Sequence, residues 1–350
     1  MKTDNLSIYV AGHRGMVGSA IVDHLKESGY RRLITAGSDE LDLRDQRAVG
    51  AFMADKRPDV VIVAAARVGG ILANSEYPWQ FLYDNLMIEA NLINAAHQND
   101  VDRLIFLGSS CIYPKHAPQP LREEYLLTGP LEPTNEWYAV AKITGIKLCQ
   151  ALNRQYGRRY ISLMPTNLYG PRDNFDLKTS HVLPAMIRKF HEAKENGHQP
   201  VPLWGSGSPK REFLHVNDLA AGVRFVMEQT SETAVADIDA ESASGRSPEF
   251  ASGRSPESAG GKTIHDLINV GTGEDLSIRE LAEIIQQETG HRGKIDWDSS
   301  KPDGTPRKLM DVGRINAMGW QASIPLREGI RDTYRWFLGN LDRIREVEVK

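Results

Sequence analysis

Tyr138 and Lys142 have the spacing and the chemistry of a proton-transfer pair. They lie four residues apart in a segment with helical periodicity, so they share one face of the predicted helix. A phenol beside an ammonium ion releases its proton more easily, which suits exchange with a substrate oxygen near neutral pH. Taken alone, this spacing more often belongs to two solvated side chains, so its interpretation depends on the rest of the sequence.

Ser109 and Cys111 follow the apolar run RLIFLG, which is typical of a buried strand. Ligands in an open α/β sheet bind just beyond the carboxyl ends of the strands. We therefore expect Ser109 to join Tyr138 and Lys142 in a hydride-transfer site. In such a site the serine holds a carbonyl group and the tyrosine gives or takes its proton. The lysine tunes the tyrosine and can hold a ribose.

A glycine-rich loop, Gly12-His13-Arg14-Gly15-Met16-Val17-Gly18, joins the first predicted strand to a predicted helix. Glycines allow a sharp turn and a close approach of the backbone to a pyrophosphate, and the helix N-terminus attracts that anion. An ordinary strand-to-helix turn is the alternative. The position of the loop between a strand and a helix favours dinucleotide binding.

The type of dinucleotide is predicted from residues near the end of the second strand. Asp39 in this region would favour the ribose hydroxyls of NAD, whereas Arg14 in the glycine loop suits the 2′-phosphate of NADP. Arg14 favours NADP as the cofactor. We expect Asp42 and Leu43 beside the adenine, although Asp42 could equally be a surface carboxylate.

Strand-like and helix-like segments alternate through the first half of the chain. The predicted strands include LSIYVAG, RLITAG, VVIVAAA, LIFLGSS and YISLMPTNLYG, with helical segments between them. This alternation predicts an α/β fold with a Rossmann-type doubly wound parallel sheet. Farther on, Ser277 and Glu280 form a capping-box pattern that predicts a helix start. The C-terminal part is expected to be a smaller α/β unit over the open edge of the sheet.

The composition excludes several classes of protein. Of the 350 residues, 41% are hydrophobic and 25% are charged, which are ordinary globular values, and the net charge of -4 gives no electrostatic case for nucleic acid or anionic membrane. Two cysteines, Cys111 and Cys149, are too few for a disulfide framework, which favours a reducing cytoplasm. No signal peptide, membrane span or metal site is predicted.

Residues 243–258 contain a tandem repeat, ASGRSPEF followed by ASGRSPES. Two copies are too few for a solenoid, and a composition rich in Ser, Gly and Pro cannot bury a core. We therefore predict that residues 232–262 are a disordered surface insertion without catalytic residues.

The joint pattern resembles the extended short-chain dehydrogenases/reductases, over nearly the whole chain except residues 232–262. More narrowly, it is similar to the GDP-L-fucose synthase family. The segments that carry this resemblance are AGHRGMVGSAI, AAARVGGI, LGSSCIYP, EPTNEWYAVAKITGIKLC, MPTNLYGPRDNFDL, SHVLPA, WGSGSPKREFLHV and SKPDGTPRKL.

The resemblance implies 3,5-epimerisation and NADPH-dependent 4-reduction of GDP-4-keto-6-deoxy-D-mannose. It also implies a homodimer, with helices 85–98 and 137–156 as the expected contact. We predict an NADP-binding Rossmann domain of residues 1–175 with parts of 212–231 and 264–273, and a sugar-nucleotide domain of residues 176–211 and 274–350. One departure concerns the second strand, where the family often has an arginine and this chain reads AGSDE. Without that arginine, NADP selectivity would depend more on Arg14.

A second chemistry explains a thiol at the end of a strand. A ketone at C4 acidifies the protons at C3 and C5, and inversion needs one group to remove a proton and another to return one. The resemblance implies these roles for Cys111 and His181, with the cysteine as base and the histidine as acid. Cys149 is expected in the core, and His13, His97 and His215 are read as structural or exposed.

The resemblance also implies further ligand contacts. At predicted strand ends, the expected cofactor contacts are Leu107, Gly108, Ser109, Ser110, Pro165, Thr166, Asn167 and Leu168, together with Tyr138, Lys142 and His181. The candidate substrate contacts are Asn167, Lys189, Trp204, Arg211, Lys301 and Arg307. The lysines could equally be solvated charges, Trp204 could cap a core, and Arg307 could belong to a structural turn.

Two alternative functions remain at this stage. One is a reductase or an epimerase of a different nucleotide-sugar. The other is a non-catalytic NADP-binding sensor, which would be expected to lose Tyr138 or Lys142 first. Both residues are present.

Overall fold

A six-stranded parallel sheet forms the centre of the structure, a computed structural model that describes residues 5–230, 234–236, 263–301 and 303–344. The strands lie in the order β12-β5-β4-β3-β1-β2, and each neighbouring pair is parallel. Their bounds are β1 Ser7–Ala11, β2 Arg32–Ile34, β3 Val60–Val63, β4 Arg103–Leu107, β5 Arg159–Pro165 and β12 Leu267–Val270. Strands β1, β3 and β4 are fully buried because helices cover both faces of the sheet, and their residues are apolar except Ser7 and Arg103.

Helices pack on the two faces of this sheet and enclose two apolar cores. α1 and α7 cover one face, and α2, α4 and α5 cover the other. The helices in this part are α1 Met16–Glu27, α2 Gln46–Lys56, α3 Ile71–Glu76, α4 Pro78–Gln98, α5 Glu136–Tyr156, α6 Val182–Glu195 and α7 Val216–Gln229.

A third core joins α6 to the C-terminal helices and to short strands. α8 Ile278–Thr289 begins with the predicted capping box, since the Ser277 hydroxyl accepts from Glu280 N and the Glu280 side chain accepts from Ser277 N. The remaining helices are α9 Gly313–Met318 and α10 Leu326–Leu338. The short strands are β6 Asn167–Tyr169, β7 Val201–Trp204, β8 Lys210–Arg211, β9 Phe213–His215, β10 Ala234–Ala236, β11 Thr263–His265, β13 Leu276–Ser277, β14 Ile295–Asp298 and β15 Arg307–Lys308.

The doubly wound α/β fold predicted from the sequence is confirmed, with two local differences. YISLMPTNLYG forms two strands: β5 stays in the central sheet, and β6 leaves it to pair with β9. Helix α2 was not predicted, although Asp45 caps it by accepting from Arg47 N and Ala48 N.

The predicted insertion at 232–262 lies outside the described residues, apart from the backbone of β10, which pairs with β11. Among the helices of the described part, none combines the length and the apolar character needed to cross a bilayer. The proposed domain boundaries remain a prediction.

Candidate active site

The glycine loop makes two backbone approaches that no side chain could allow. Gly12 follows β1 with a φ of +87°, and a Cβ placed there would lie 2.6 Å from Ala65 N. A Cβ on Gly18 would collide with the Gly12 carbonyl. The loop can therefore bring its backbone close to a ligand at the carboxyl end of β1.

The start of α1 fits the pyrophosphate of a dinucleotide. Helix α1 has no side-chain cap and no acidic residue in its first turn, so its positive N-terminal end carries no competing anion. Beside it, His13 Nδ1 is buried and has no hydrogen-bond partner among the described residues. These features, with the glycine turn, fit the predicted cofactor.

Two exposed ion pairs surround the predicted adenosine end. Arg14 Nη1 lies 2.5 Å from Asp39 Oδ1, and this hydrogen bond lowers the pKa of Asp39. Asp42 Oδ2 lies 2.9 Å from Arg44 Nη2, which lowers the pKa of Asp42. Arg44 was not singled out from the sequence, and it places a second guanidinium near the residues expected to contact the cofactor.

The end of β4 presents the predicted serine and cysteine together. Ser109 caps a 3₁₀ turn, Ser110–Ile112, and its hydroxyl accepts from Cys111 N at 3.3 Å. The Cys111 side chain is only 6% exposed, and burial raises the pKa of its thiol. The turn therefore holds the hydroxyl and the thiol on neighbouring positions at the carboxyl edge of the sheet.

Tyr138 and Lys142 meet this edge from α5. Lys142 is buried and its Nζ donates to the Leu107 carbonyl at 2.9 Å, which fixes the ammonium against the last residue of β4. The same Nζ lies 5.7 Å from the Tyr138 ring centroid. Burial raises the pKa of Tyr138 well above its usual value, and Cys111 raises it further. From the sequence we expected Lys142 to lower the pKa of Tyr138. In the structure burial has the largest effect and raises that pKa, so the phenol keeps its proton.

His181 directly precedes α6, and its side chain is exposed. Desolvation by the surrounding protein lowers the pKa of its imidazole. The ammonium of Lys308 lowers that pKa further because like charges repel. Lys308 also lowers the pKa of Cys111, where it is the largest influence opposing burial. One ammonium group therefore acts on both predicted epimerisation residues, so both lie within electrostatic range of Lys308.

Lys308 was missed in the sequence, where Arg307 was chosen from the same segment. In β15, Arg307 pairs with Lys210 and Lys308 pairs with Arg211, so the two side chains of each strand emerge on opposite faces. Arg307 reaches Asp275, with Nε 2.5 Å from Oδ2. If this dipeptide had been predicted as a strand, the alternation of side chains would have placed Arg307 and Lys308 on opposite faces and indicated Lys308 as a second candidate.

The other substrate candidates occupy varied environments. Burial lowers the pKa of both Lys189 and Arg211, and Lys189 Nζ donates to the Pro202 carbonyl at 3.1 Å. Trp204 is 68% exposed, with Lys301 Nζ 5.7 Å from its ring centroid. Asn167 Nδ2 donates to the Glu212 carbonyl at 2.8 Å.

The remaining predicted cofactor residues lie at the ends of adjacent strands. β4 and β5 are neighbours, so Leu107 and Pro165, their last residues, open on the same edge of the sheet. The other residues of this group follow them directly and are Gly108, Ser110, Thr166 and Leu168.

Comparison with known proteins decides the family. The model of the NAD dependent epimerase/dehydratase family matches residues 8–238. The GDP-L-fucose synthase of Escherichia coli is 53% identical over 338 residues, which cover 97% of this chain and 98% of that protein. The chain belongs to the GDP-L-fucose synthase family.

Solved structures of this family and its neighbours have the same fold. A GDP-L-fucose synthetase from Naegleria fowleri bound to NADP has a TM-score of 0.81 at 27% identity, covering 98% of this chain and 97% of that one. MlghC, a GDP-mannoheptose C4 reductase from Campylobacter jejuni with NADP bound, has a TM-score of 0.80 at 34% identity, covering 97% and 99%.

Proposed function

We propose that this protein inverts C3 and C5 of GDP-4-keto-6-deoxy-D-mannose and then reduces C4 with NADPH, which gives GDP-L-fucose. The observation that carries the proposal is the meeting of Ser109, Cys111, Tyr138 and Lys142 at the carboxyl end of β4. The family membership supports it, since the relatives above include a GDP-L-fucose synthase with 53% identity.

In the epimerisation, Cys111 and His181 exchange protons with the sugar. The C4 ketone stabilises the enolate that forms when a proton leaves C3 or C5. Cys111 removes the proton as a thiolate, and Lys308 favours that thiolate against the effect of burial. His181 returns a proton from the opposite face. Its lowered pKa makes the imidazolium a stronger acid, present as a smaller fraction near neutral pH.

In the reduction, bound NADPH supplies the hydride that is added to C4. The Ser109 hydroxyl donates to the C4 oxygen and holds it at the edge of β4. Tyr138 then protonates that oxygen, and its raised pKa keeps the phenol protonated until the oxygen becomes basic. Lys142, anchored on Leu107, holds the tyrosine and the nicotinamide ribose in place.

The GDP part of the substrate is assigned to the smaller α/β unit. Arg211 emerges on the same face as Lys308 and suits the diphosphate, because a guanidinium binds phosphate oxygens in pairs. The exposed Trp204 ring offers a stacking surface for the guanine, next to Lys301. Lys189, Asn167 and Arg307 remain candidates for contacts with the sugar and phosphates.

The test follows the sugar by proton NMR in D₂O, with GDP-4-keto-6-deoxy-D-mannose and NADPH. We expect deuterium at C3 and C5 of a GDP-L-fucose product. Cys111→Ser should slow the exchange and Tyr138→Phe should slow the reduction, each by about 10²- to 10⁴-fold. Cys149→Ser is the matched control, since Cys149 is a buried residue of the apolar core. A wild-type enzyme that neither exchanges nor reduces would contradict the proposal.

The second candidate is a C4 reductase that acts on a different GDP-sugar without epimerisation. The similarity to MlghC favours it. Reduction without deuterium at C3 or C5, unaffected by Cys111→Ser, would select this function instead.

We further propose that the enzyme is a cytoplasmic homodimer. Both cysteines are free, which suits a reducing compartment. α4 and α5 pack against each other and expose large apolar side chains, including Trp79 at 65% and Val140 at 42% exposed. Such side chains are typical of a helical interface between two copies. A monomeric mass in solution scattering would reject the dimer.

A further inference from the structure

A buried ion pair supports the catalytic face of α5 from behind. Glu89 on α4 is 1% exposed and Lys142 is 2% exposed, and Glu89 Oε1 lies 2.9 Å from Lys142 Nζ. The Leu107 carbonyl accepts a hydrogen bond from the same ammonium, also at 2.9 Å. The ion pair with Glu89 and the hydrogen bond to Leu107 together hold the Lys142 side chain in place.

The surroundings of Glu89 leave it dependent on this lysine. Neither of its carboxylate oxygens has a hydrogen-bond partner among the described residues, so its contact with Lys142 is an ion pair. Burial raises the pKa of Glu89, and the charge of Lys142 pulls it back down. Lys142 is therefore the counter-ion of Glu89, and a buried charge of either sign is costly without its partner.

Gly145 provides the space for this arrangement. It lies in the interior of α5, where glycine is less favourable than alanine. A Cβ at this position would meet Phe106 Cζ at less than contact distance and would lie 2.9 Å from Glu89 Oε2. The helix therefore gives up stability where a methyl group would push into the Lys142–Glu89 pair.

We propose that Glu89 is a positioning residue of the C4 reduction, which holds Lys142 in place beside Tyr138. The inference rests on the proposed function, because it assigns Glu89 to the reduction and not to the epimerisation. The groups that act on Tyr138 are Lys142 on its own helix, Cys111 from the 3₁₀ turn and Glu89 from α4. Cys149, also on α5, is the other titratable side chain on which Glu89 acts.

The isosteric variant Glu89→Gln removes the charge and keeps the shape. Glu89 raises the pKa of Tyr138, so without this negative charge the phenol ionises at lower pH. Ionisation removes the protonated phenol that the reduction requires. The alkaline limb of kcat for NADPH oxidation should therefore move to lower pH by about one unit.

The control reaction is deuterium exchange at C3 and C5 with NADP⁺ in place of NADPH. Its pH profile should match the wild type in Glu89→Gln, because the charges that act on Cys111 and His181 are those of Lys308 and Lys142, which the variant retains. A structural role alone would lower both activities together without moving the alkaline limb. Glu123→Gln is the matched variant, since Glu123 is a buried carboxylate on the 3₁₀ turn Glu123–Tyr125, with Asn269 N as a donor, and it should leave the limb unchanged.

If Glu89→Gln does not fold, Glu89→Asp serves as the test variant. The shorter carboxylate keeps its charge but draws away from Nζ, so the limb should move in the same direction by less. An unchanged limb in the folded variant, or equal loss of exchange and reduction, would overturn the assignment of Glu89. If the wild type neither exchanges nor reduces, the proposed function fails and the inference falls with it, so the two failures are distinguishable.

Discussion

Arg14 in the glycine loop forms an ion pair with Asp39, which follows the second strand, and both side chains remain more than half exposed. Arg14 is the residue predicted to select the 2′-phosphate of NADP, and Asp39 is the one that would favour NAD. Their contact couples the two preferences. A 2′-phosphate must compete with the Asp39 carboxylate for the same guanidinium.

Asp39→Asn should therefore increase the preference for NADPH over NADH. The variant removes a negative charge beside the expected 2′-phosphate and weakens the hold of Asp39 on Arg14. We expect the ratio of kcat/KM values for the two cofactors to rise by about two- to fivefold, as an exposed ion pair is weak. Asp23→Asn, which breaks the exposed pair with Arg172, should leave the ratio unchanged. If the ratio of kcat/KM values is unchanged in Asp39→Asn, the Arg14–Asp39 pair does not influence the choice between NADPH and NADH.

Lys308→Met should slow the exchange at C3 and C5 and shift it to higher pH. Lys308 lowers the pKa of Cys111, so its removal raises that pKa and less thiolate forms at neutral pH. A change of one unit would reduce the exchange near pH 7 about tenfold, with recovery at alkaline pH. The measurement is kcat for exchange at saturating substrate, which separates this effect from weaker binding.

The matched control for this prediction is Lys210→Met. Lys210 lies on the opposite face of the same small sheet, since its partner there is Arg307 and not Lys308. The exchange should keep its wild-type pH profile in this variant. A profile that is also unchanged in Lys308→Met would remove Lys308 from the epimerisation.

Glu212→Gln should lower the free energy of unfolding by about 1–3 kcal/mol. The buried Glu212 carboxylate accepts from Thr272 N at 2.6 Å, from Gly273 N at 2.8 Å and from Met310 N at 2.9 Å. Both carboxylate oxygens of Glu212 accept hydrogen bonds. The NH₂ group of a glutamine would therefore face a backbone N–H, and at least one of these hydrogen bonds would be lost. Urea denaturation measures the loss, and the exposed Glu274→Gln should show none.

Asp173→Asn should flatten the dependence of stability on pH. Burial raises the pKa of Asp173 to about 7, above its value of about 3.9 in an unfolded chain. Between these values the native carboxyl keeps a proton that the unfolded one has lost, so stability falls as pH rises from about 4 to about 7.

At pH 8 we expect Asp173→Asn to be more stable than the wild type by at least about 1 kcal/mol, because the variant has no carboxylate to bury. Urea denaturation from pH 5 to pH 8 measures the difference. Asp296→Asn, an exposed change, should follow the wild type. Parallel curves for Asp173→Asn and the wild type would contradict the prediction.

Local patterns predicted much of the fold. Apolar runs and helical periodicity depend on neighbouring residues, so the alternation of strands and helices and the capping box of α8 were readable from the sequence. Where one run contained two strands, as in YISLMPTNLYG, the boundary depended on pairing with β9, which lies far along the chain.

The sequence by itself determined the residue types of the site and their order along the chain: a glycine loop, a serine and a cysteine after a strand, and a tyrosine and a lysine one helical turn apart. Only the tertiary structure decided which distant charges act on them. Glu89 reaches Lys142 because α4 packs on α5, and Lys308 in β15 acts on Cys111 although the two residues are far apart in the chain. Neither interaction can be predicted from a spacing along the sequence, because electrostatic interactions depend on distance in space and on burial.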